Sequence, residues 1–292
     1  MSIWALTATV KAAPEKLAAF VAYHLDLGAE EIWLYFDDPE DPCFPLYQGH
    51  PRIRAQICTD AYWEKMGGRP ETHQQRQVRN ARRSYRRSQC KWLAHIDVDE
   101  FIYPLRPLDP LLEDLSREQI MVRMRPYEAM HDPALPDDIY SARLFRAAFS
   151  AQERDLAQVV MGKSAAVLPS GMLSHSAGKA FFRTGIKDLA PRIHGAFRHG
   201  ERLEGPEFQA DLALLHFHAQ DPEAWQRALP FRLEKGAYQF NPRLQAYLKK
   251  ASPQEIERFY RATQMLTPAA IERLSASGHL ISADLALRAR LQ

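Results

Sequence analysis

The 292-residue chain reads as an α/β protein: a mostly parallel sheet flanked by helices, with a helical extension at the carboxyl end. Three observations predict this. Apolar runs of strand length and amphipathic helical stretches follow one another in the order β-α-β-β-α-β through residue 101. Two of the apolar runs stop abruptly in acidic turns, at Asp37-Asp38 and at Asp97-Val98-Asp99. From Pro222 onward the periodicity is helical.

Residues 3–10 are apolar and β-rich, a first buried strand. Pro14 suits the first turn of a helix, and Leu17, Phe20, Val21, His24 and Leu25 draw one apolar stripe along it until Gly28 stops it. Residues 32–36 form the second strand. A helical crossover between two strands makes them parallel and the connection right-handed. Residues 52–58 alternate as a third strand, 62–70 read as a loop with Gly67-Gly68, and 71–89 as a polar helix. Residues 91–96 are the next strand. Later strands are expected at 120–125, 177–184 and 212–218. Ser252-Pro253-Gln254-Glu255 spells a capping box with Pro at the first helical position, and Thr267-Pro268 repeats the cap. The organisation expected is a domain over residues 1–221 and a helical extension over 222–292.

The composition is that of a globular protein, 46% hydrophobic and 25% charged, with a net charge of +2 from 38 basic and 36 acidic residues. That balance argues against a nucleic-acid partner, so a basic surface must be local. Cys43, Cys58 and Cys90 have no metal-ligand spacing and read as free thiols of a reducing compartment. With no apolar run of membrane-spanning length and no leader pattern, the expectation is a cytoplasmic protein without a transmembrane segment, which leaves room for peripheral membrane contact.

The acidic stretch HIDVDEF, residues 95–101, carries the chemistry. In extended chain the side chains of Asp97 and Asp99 point the same way, and their repulsion calls for a counter-charge. A hard divalent cation, Mg²⁺ or Mn²⁺, suits such oxygens and keeps open positions for phosphate groups. Glu100 points away from Asp99 and reads as a structural acceptor. The competing reading is a solvated turn at a strand end.

WLAHIDVDEFIYP resembles the D-x-D-E-F block of GT-A fold glycosyltransferases of the family-2-like type. LAAFVAYHLDLGAEEIWLYFDDPEDP resembles the opening of the same family, with its tyrosine-histidine pair, glycine, strand and acidic turn. HSAGKAFFRTG and LLHFHAQDPEAWQRALPFRLEKG fit less specifically. After Val10 the chain has Lys11-Ala12-Ala13 where many relatives have Lys-Asn-Glu. The resemblance implies a metal-dependent hexosyltransferase that moves a sugar, with inversion, from a nucleotide-diphosphate sugar such as a UDP-sugar to a glycan, lipid or small-molecule acceptor. It implies Asp99 as a direct metal ligand, Asp97 as a ribose or water-mediated contact, Asp37 or Asp38 beside the nucleoside, and His216 rather than His218 as a further ligand.

An inverting transfer needs a carboxylate base. Glu128, Asp132, Asp188 and Asp211 are the candidates, with Glu128 and Asp188 put forward. Arg76, Arg79, Arg83 and Arg86 share a helical face that either meets phosphate or is simply solvated. Arg76, Asn80 and Lys179 are candidate nucleotide contacts. His24 reads as a hydrogen-bonded core histidine, and Trp63 either stacks on a sugar or base or packs. Two other functions compete: a metal-dependent phosphoryl or nucleotidyl transferase using the same carboxylates, and a non-catalytic polyanion- or glycan-binding module on a degenerate transferase fold.

Overall fold

The computed structural model describes residues 3–203 and 205–292. In chain order its elements are β1 (Trp4–Val10), α1 (Pro14–Asp26), β2 (Glu31–Phe36), α2 (Phe44–Tyr47), β3 (Ile53–Ile57), α3 (Asp60–Glu64), α4 (His73–Arg87), β4 (Trp92–His95) and β5 (Glu100–Pro104). Next come α5 (Leu108–Glu113), β6 (Met121–Ala129), β7 (Leu144–Ala147), α6 (Arg154–Met161), β8 (Lys179–Arg183), β9 (Leu189–Pro191), β10 (Ala196–Arg198) and β11 (Glu201–Arg202). The chain finishes with β12 (Phe208–His216), α7 (Pro222–Glu234), α8 (Pro242–Lys250), α9 (Pro253–Gln264), α10 (Pro268–Ala276) and β13 (Leu280–Ser282). These elements fall into two compact units. The first holds the described residues of Met1–Arg125, Ala177–Leu214 and Leu287–Gln292; the second holds Pro126–Ser176 and Leu215–Ala286. The expected boundary after residue 221 therefore lies inside the second unit, which also takes in residues 126–176.

The first unit is the mixed α/β sheet that the sequence predicts. Strands β3, β2, β1 and β4 lie side by side and are parallel, with Val10 opposite Phe36 and Thr7 opposite His95. Both faces of β1 are buried, which is why it reads as a continuous apolar run rather than an alternating one. Beyond β4 the sheet turns antiparallel: β8 pairs with β4, and residues 121–124 of β6 pair with β8. Helix α1 starts on Pro14 and closes at Gly28, which takes φ 108°, a backbone state open to glycine. Helix α4 is tied to β1 by two buried polar contacts, Ser84 Oγ to Thr7 Oγ1 at 3.0 Å and Asn80 Nδ2 donating to Thr9 Oγ1 at 3.0 Å. The segment expected as loop after residue 62 instead starts inside α3, whose Thr59 cap accepts from the Tyr62 amide. Trp63 is buried there at 1% exposure, so it packs and does not stack on a ligand.

In the second unit β7 pairs with β13 on one side and with residues 127–129 of β6 on the other, both antiparallel. Its helices pack a core of Leu168, Trp225, Tyr238, Leu244, Phe259 and Tyr260. The predicted caps are in place. Ser252 and Glu255 exchange both bonds of a capping box, and Thr267 accepts from the Ala270 amide. Helices α7, α8, α9 and α10 all begin on proline, whose missing N–H would be unsatisfied at that position in any case.

Candidate active site

The sheet of the first unit has a topological switch point. From β1 the chain crosses through α1 to β2 on one side and later returns to β4 on the other. In open α/β sheets ligands bind outside the carboxyl ends of the strands at such a point. The residues immediately beyond β4 are Ile96, Asp97, Val98 and Asp99.

These residues are not extended. The chain turns at once: the Glu100 amide donates to the Asp97 carbonyl at 3.0 Å, and the Asp97 amide donates to Glu100 Oε2 at 2.7 Å. Glu100 is fully buried and serves as the backbone acceptor that its position suggests. Asp97 and Asp99 thus sit in a tight turn and not in an extended strand.

The expected counter-charge is already supplied. Lys179, the first residue of β8, is buried and places Nζ 2.6 Å from Asp97 Oδ2 and 3.4 Å from Glu100 Oε2. Burial alone would depress the Lys179 ammonium. The two carboxylates beside it more than offset that effect and raise its pKa well above the usual lysine range, so it is charged. The other Asp97 oxygen accepts from Gln77 of α4. Lys179, expected as a nucleotide contact, is instead the cation that holds the acidic turn. Asp99 is half-buried at the tip of the same turn.

The acidic turn after β2 is organised in the same way. Burial works against the Asp37 carboxylate, but it accepts from Arg76 Nε at 2.9 and 3.0 Å and from Arg69 Nη2 at 3.2 Å, with His73 at 4.0 Å. These partners hold its pKa down at about 2. Asp37 and Arg76, both expected as nucleotide contacts, are therefore each other's partners. Asp38 is exposed and accepts from the Glu40 amide at 2.9 Å. Asn80 is buried at 1% exposure; its carbonyl oxygen accepts from the Tyr62 hydroxyl at 2.7 Å while its amide donates to Thr9. Both ends of the Asn80 side chain, expected as a nucleotide contact, are bound inside the unit.

The tyrosine-histidine pair of α1 has a mechanical role. Tyr23 donates to the Ile102 carbonyl at 2.9 Å, while the Ile102 amide donates to His24 Nε2 at 3.3 Å. His24 Nδ1 then donates to the Phe20 carbonyl at 2.8 Å. Both backbone groups of one β5 residue are satisfied by α1, which fixes the strand that leaves the acidic turn. Burial pushes the His24 pKa down to about 3, so the ring is neutral, the core histidine expected.

Asp188 is exposed with φ 60° and lies 3.2 Å from His199 Nδ1. Asp211 is bound to Arg106 at 3.2 Å, and Asp132 caps the Ala134 amide. In the second unit, Glu128 is fully buried. Its carboxylate accepts from the Leu173 amide at 3.0 Å, the Ser174 amide at 2.7 Å and Gln264 Nε2 at 3.1 Å. Glu128, expected as a base, is thus bonded to three donors inside the fold. His216 ends β12 and is buried, and its ring centroid lies 5.3 Å from that of His175. The two imidazoles offer nitrogens within 4.8 Å of one another, close enough to share a metal ion. His218 places Nε2 3.3 Å from the Tyr238 hydroxyl, and burial, with Arg232 nearby, pushes its pKa well down.

His175 opens the HSAGKAFFRTG stretch, whereas Gln77 and Arg69 carry no motif in the sequence. Their only sequence signal is position, a polar residue on the inner side of α4 in the case of Gln77.

No family model and no curated protein matches the chain. A solved structure, HddC from Yersinia pseudotuberculosis, is similar with a TM-score of 0.37 and 12% identity, over 79% of this chain and 99% of that one. A likeness this distant carries no activity across. Among the described residues no helix is long and apolar enough to cross a membrane.

Proposed function

We propose that the chain is a metal-dependent glycosyltransferase that takes a sugar from a nucleotide-diphosphate donor. The observation that carries this reading is the acidic turn Asp97-Val98-Asp99 standing outside β4 at the switch point of a parallel sheet. The D-x-D-E-F resemblance supports it. The resemblance makes Asp99 the residue for direct ligation of Mn²⁺ or Mg²⁺, while both Asp97 oxygens are held by Gln77 and Lys179. Asp97 then acts through water or on the ribose. Within the second unit, His216 with His175 beside it could hold a cation of its own. A cation bound at Asp99 would neutralise the charge that develops on the leaving diphosphate. Lys179 and Gln77 hold the turn in place before any ligand arrives, which spares its reorganisation. Asp188, put forward from the sequence and exposed here, is the carboxylate assigned to take the acceptor's proton.

The test is calorimetric titration with a panel of UDP-sugars, with and without Mn²⁺. The expected result is binding that requires the metal and is lost in Asp99→Asn, whose melting temperature stays at the wild-type value. Failure of every sugar nucleotide to bind in the presence of metal, or unchanged binding by Asp99→Asn, rejects the reading.

A further inference from the structure

The arginines of α4 divide into two sets. Arg76 is bound to Asp37, Arg79 Nη1 donates to the carbonyls of Met66 at 3.1 Å and Gly68 at 2.6 Å, and Arg83 lies over the Tyr62 ring at 5.5 Å. Three of the four residues expected as a phosphate-facing patch are thus engaged by their own unit. Arg82 is placed differently. With Gln74, Gln75, Val78 and Arg79 it forms one side of a groove of about 390 Å³, and Arg192 and Ile193, which follow β9, form the other.

Among the described residues no acidic side chain lines this groove. The Nε atoms of Arg82 and Arg192 are both buried, and neither has a hydrogen-bond partner among the described residues. Burial lowers the Arg82 pKa, and the charges of Arg192 and Arg86 push the same way. Arg192 is also held in position: its guanidinium lies 4.4 Å over the Phe197 ring, and its carbonyl accepts from His95 Nδ1 at 3.1 Å. His95 ends β4, two residues before Asp97, so Arg192 is tied to the strand that leads into the acidic turn.

Two guanidiniums held close, partly desolvated and with donors unspent, carry a cost that an external anion relieves. Their planar forks match the oxygens of a phosphate group. We propose that this groove binds a phosphate-class oxyanion carried by the acceptor. This deepens the transferase reading and rests on it for the word acceptor. The acidic turn and the groove have opposite charge, so the turn recruits a cation and the groove recruits an anion without one.

The donor's own diphosphate is the other source of such an oxyanion, and two titrations of the full chain separate them. The first uses inorganic phosphate without divalent metal; the second uses UDP with Mn²⁺. Each is run on wild type, on Arg82→Gln with Arg192→Gln, and on Arg82→Lys with Arg192→Lys, which keeps the charge but loses the fork. Wild type should bind phosphate, the glutamine pair should bind it about tenfold or more weakly, and the lysine pair should fall between them. UDP affinity in the presence of Mn²⁺ should stay within about twofold in all three. Absence of phosphate binding in wild type, or equal phosphate affinity in the glutamine pair, overturns the site. A parallel loss of UDP affinity gives the oxyanion to the donor and overturns the acceptor assignment. If UDP with Mn²⁺ fails to bind wild type while the phosphate results hold, the transferase reading falls and the anion site stands alone.

Discussion

Glu128 and Lys179 show how far the role of a charged residue depends on its surroundings. Both looked like chemistry in the sequence, and both are buried parts of the framework. Glu128 accepts from two backbone amides and Gln264, and Arg146, also buried, lies in its field. Glu128→Gln turns an acceptor into a donor against amides that already donate. It should destabilise the protein by about 1–3 kcal/mol, the cost of leaving buried groups unsatisfied. Denaturant titration reads this loss, and the turnover of the remaining folded protein should match wild type. A drop in turnover with no change in stability would restore Glu128 as a base. Lys179 could be noticed in the sequence as the lysine beside Gly178, but its partner Asp97 is 82 residues away. Nothing local in the sequence joins them.

At the scale of elements, α1 and β4 are written plainly in the sequence. The proline start, apolar stripe and glycine stop of α1 are local signals, and so is the apolar run of β4. The polar helix α4 was legible as a helix but not in its assignments, because which of its arginines are spent depends on β2, α3 and the segment after β9. The buried histidines of α1 and β4 predict a pH response. Burial takes His24 down to about 3 and His95 to about 4. In the unfolded chain both titrate near the ordinary histidine value of about 6.5. Between those values the unfolded state binds more protons, so stability is complete above about 6.5 and falls as the pH drops toward 4. Asp37, held at about 2, adds a further loss below the ordinary carboxylate range. Denaturation midpoints measured from pH 7.5 to 4.5 should follow this course. His24→Gln should lower stability at neutral pH and flatten the slope; an unaltered slope rejects the assignment.

At the scale of the whole molecule, the first unit gathers its acidic turns at one edge of a sheet. Asp37 follows β2, Asp97 follows β4, and the two strands flank β1. A sugar nucleotide bound with Mn²⁺ should therefore slow amide exchange at residues 10–12, 37–38 and 96–100. The amino ends of the same strands should be unaffected. Hydrogen exchange with mass spectrometry reads this directly, and protection confined to the opposite edge would contradict the proposed site.

By itself the sequence determined the α/β class, the order of the early strands and helices, the helix caps, and the place of the acidic pair at a strand end. Those properties arise from periodicity, proline, glycine and capping residues acting over a few positions. The tertiary structure alone decided that Lys179 holds Asp97, that Arg76 binds Asp37, that Glu128 is enclosed, and that Arg82 and Arg192 line one groove. Burial and charge pairing join residues far apart in the chain, so a carboxylate's role is set by which distant partner the fold brings to it.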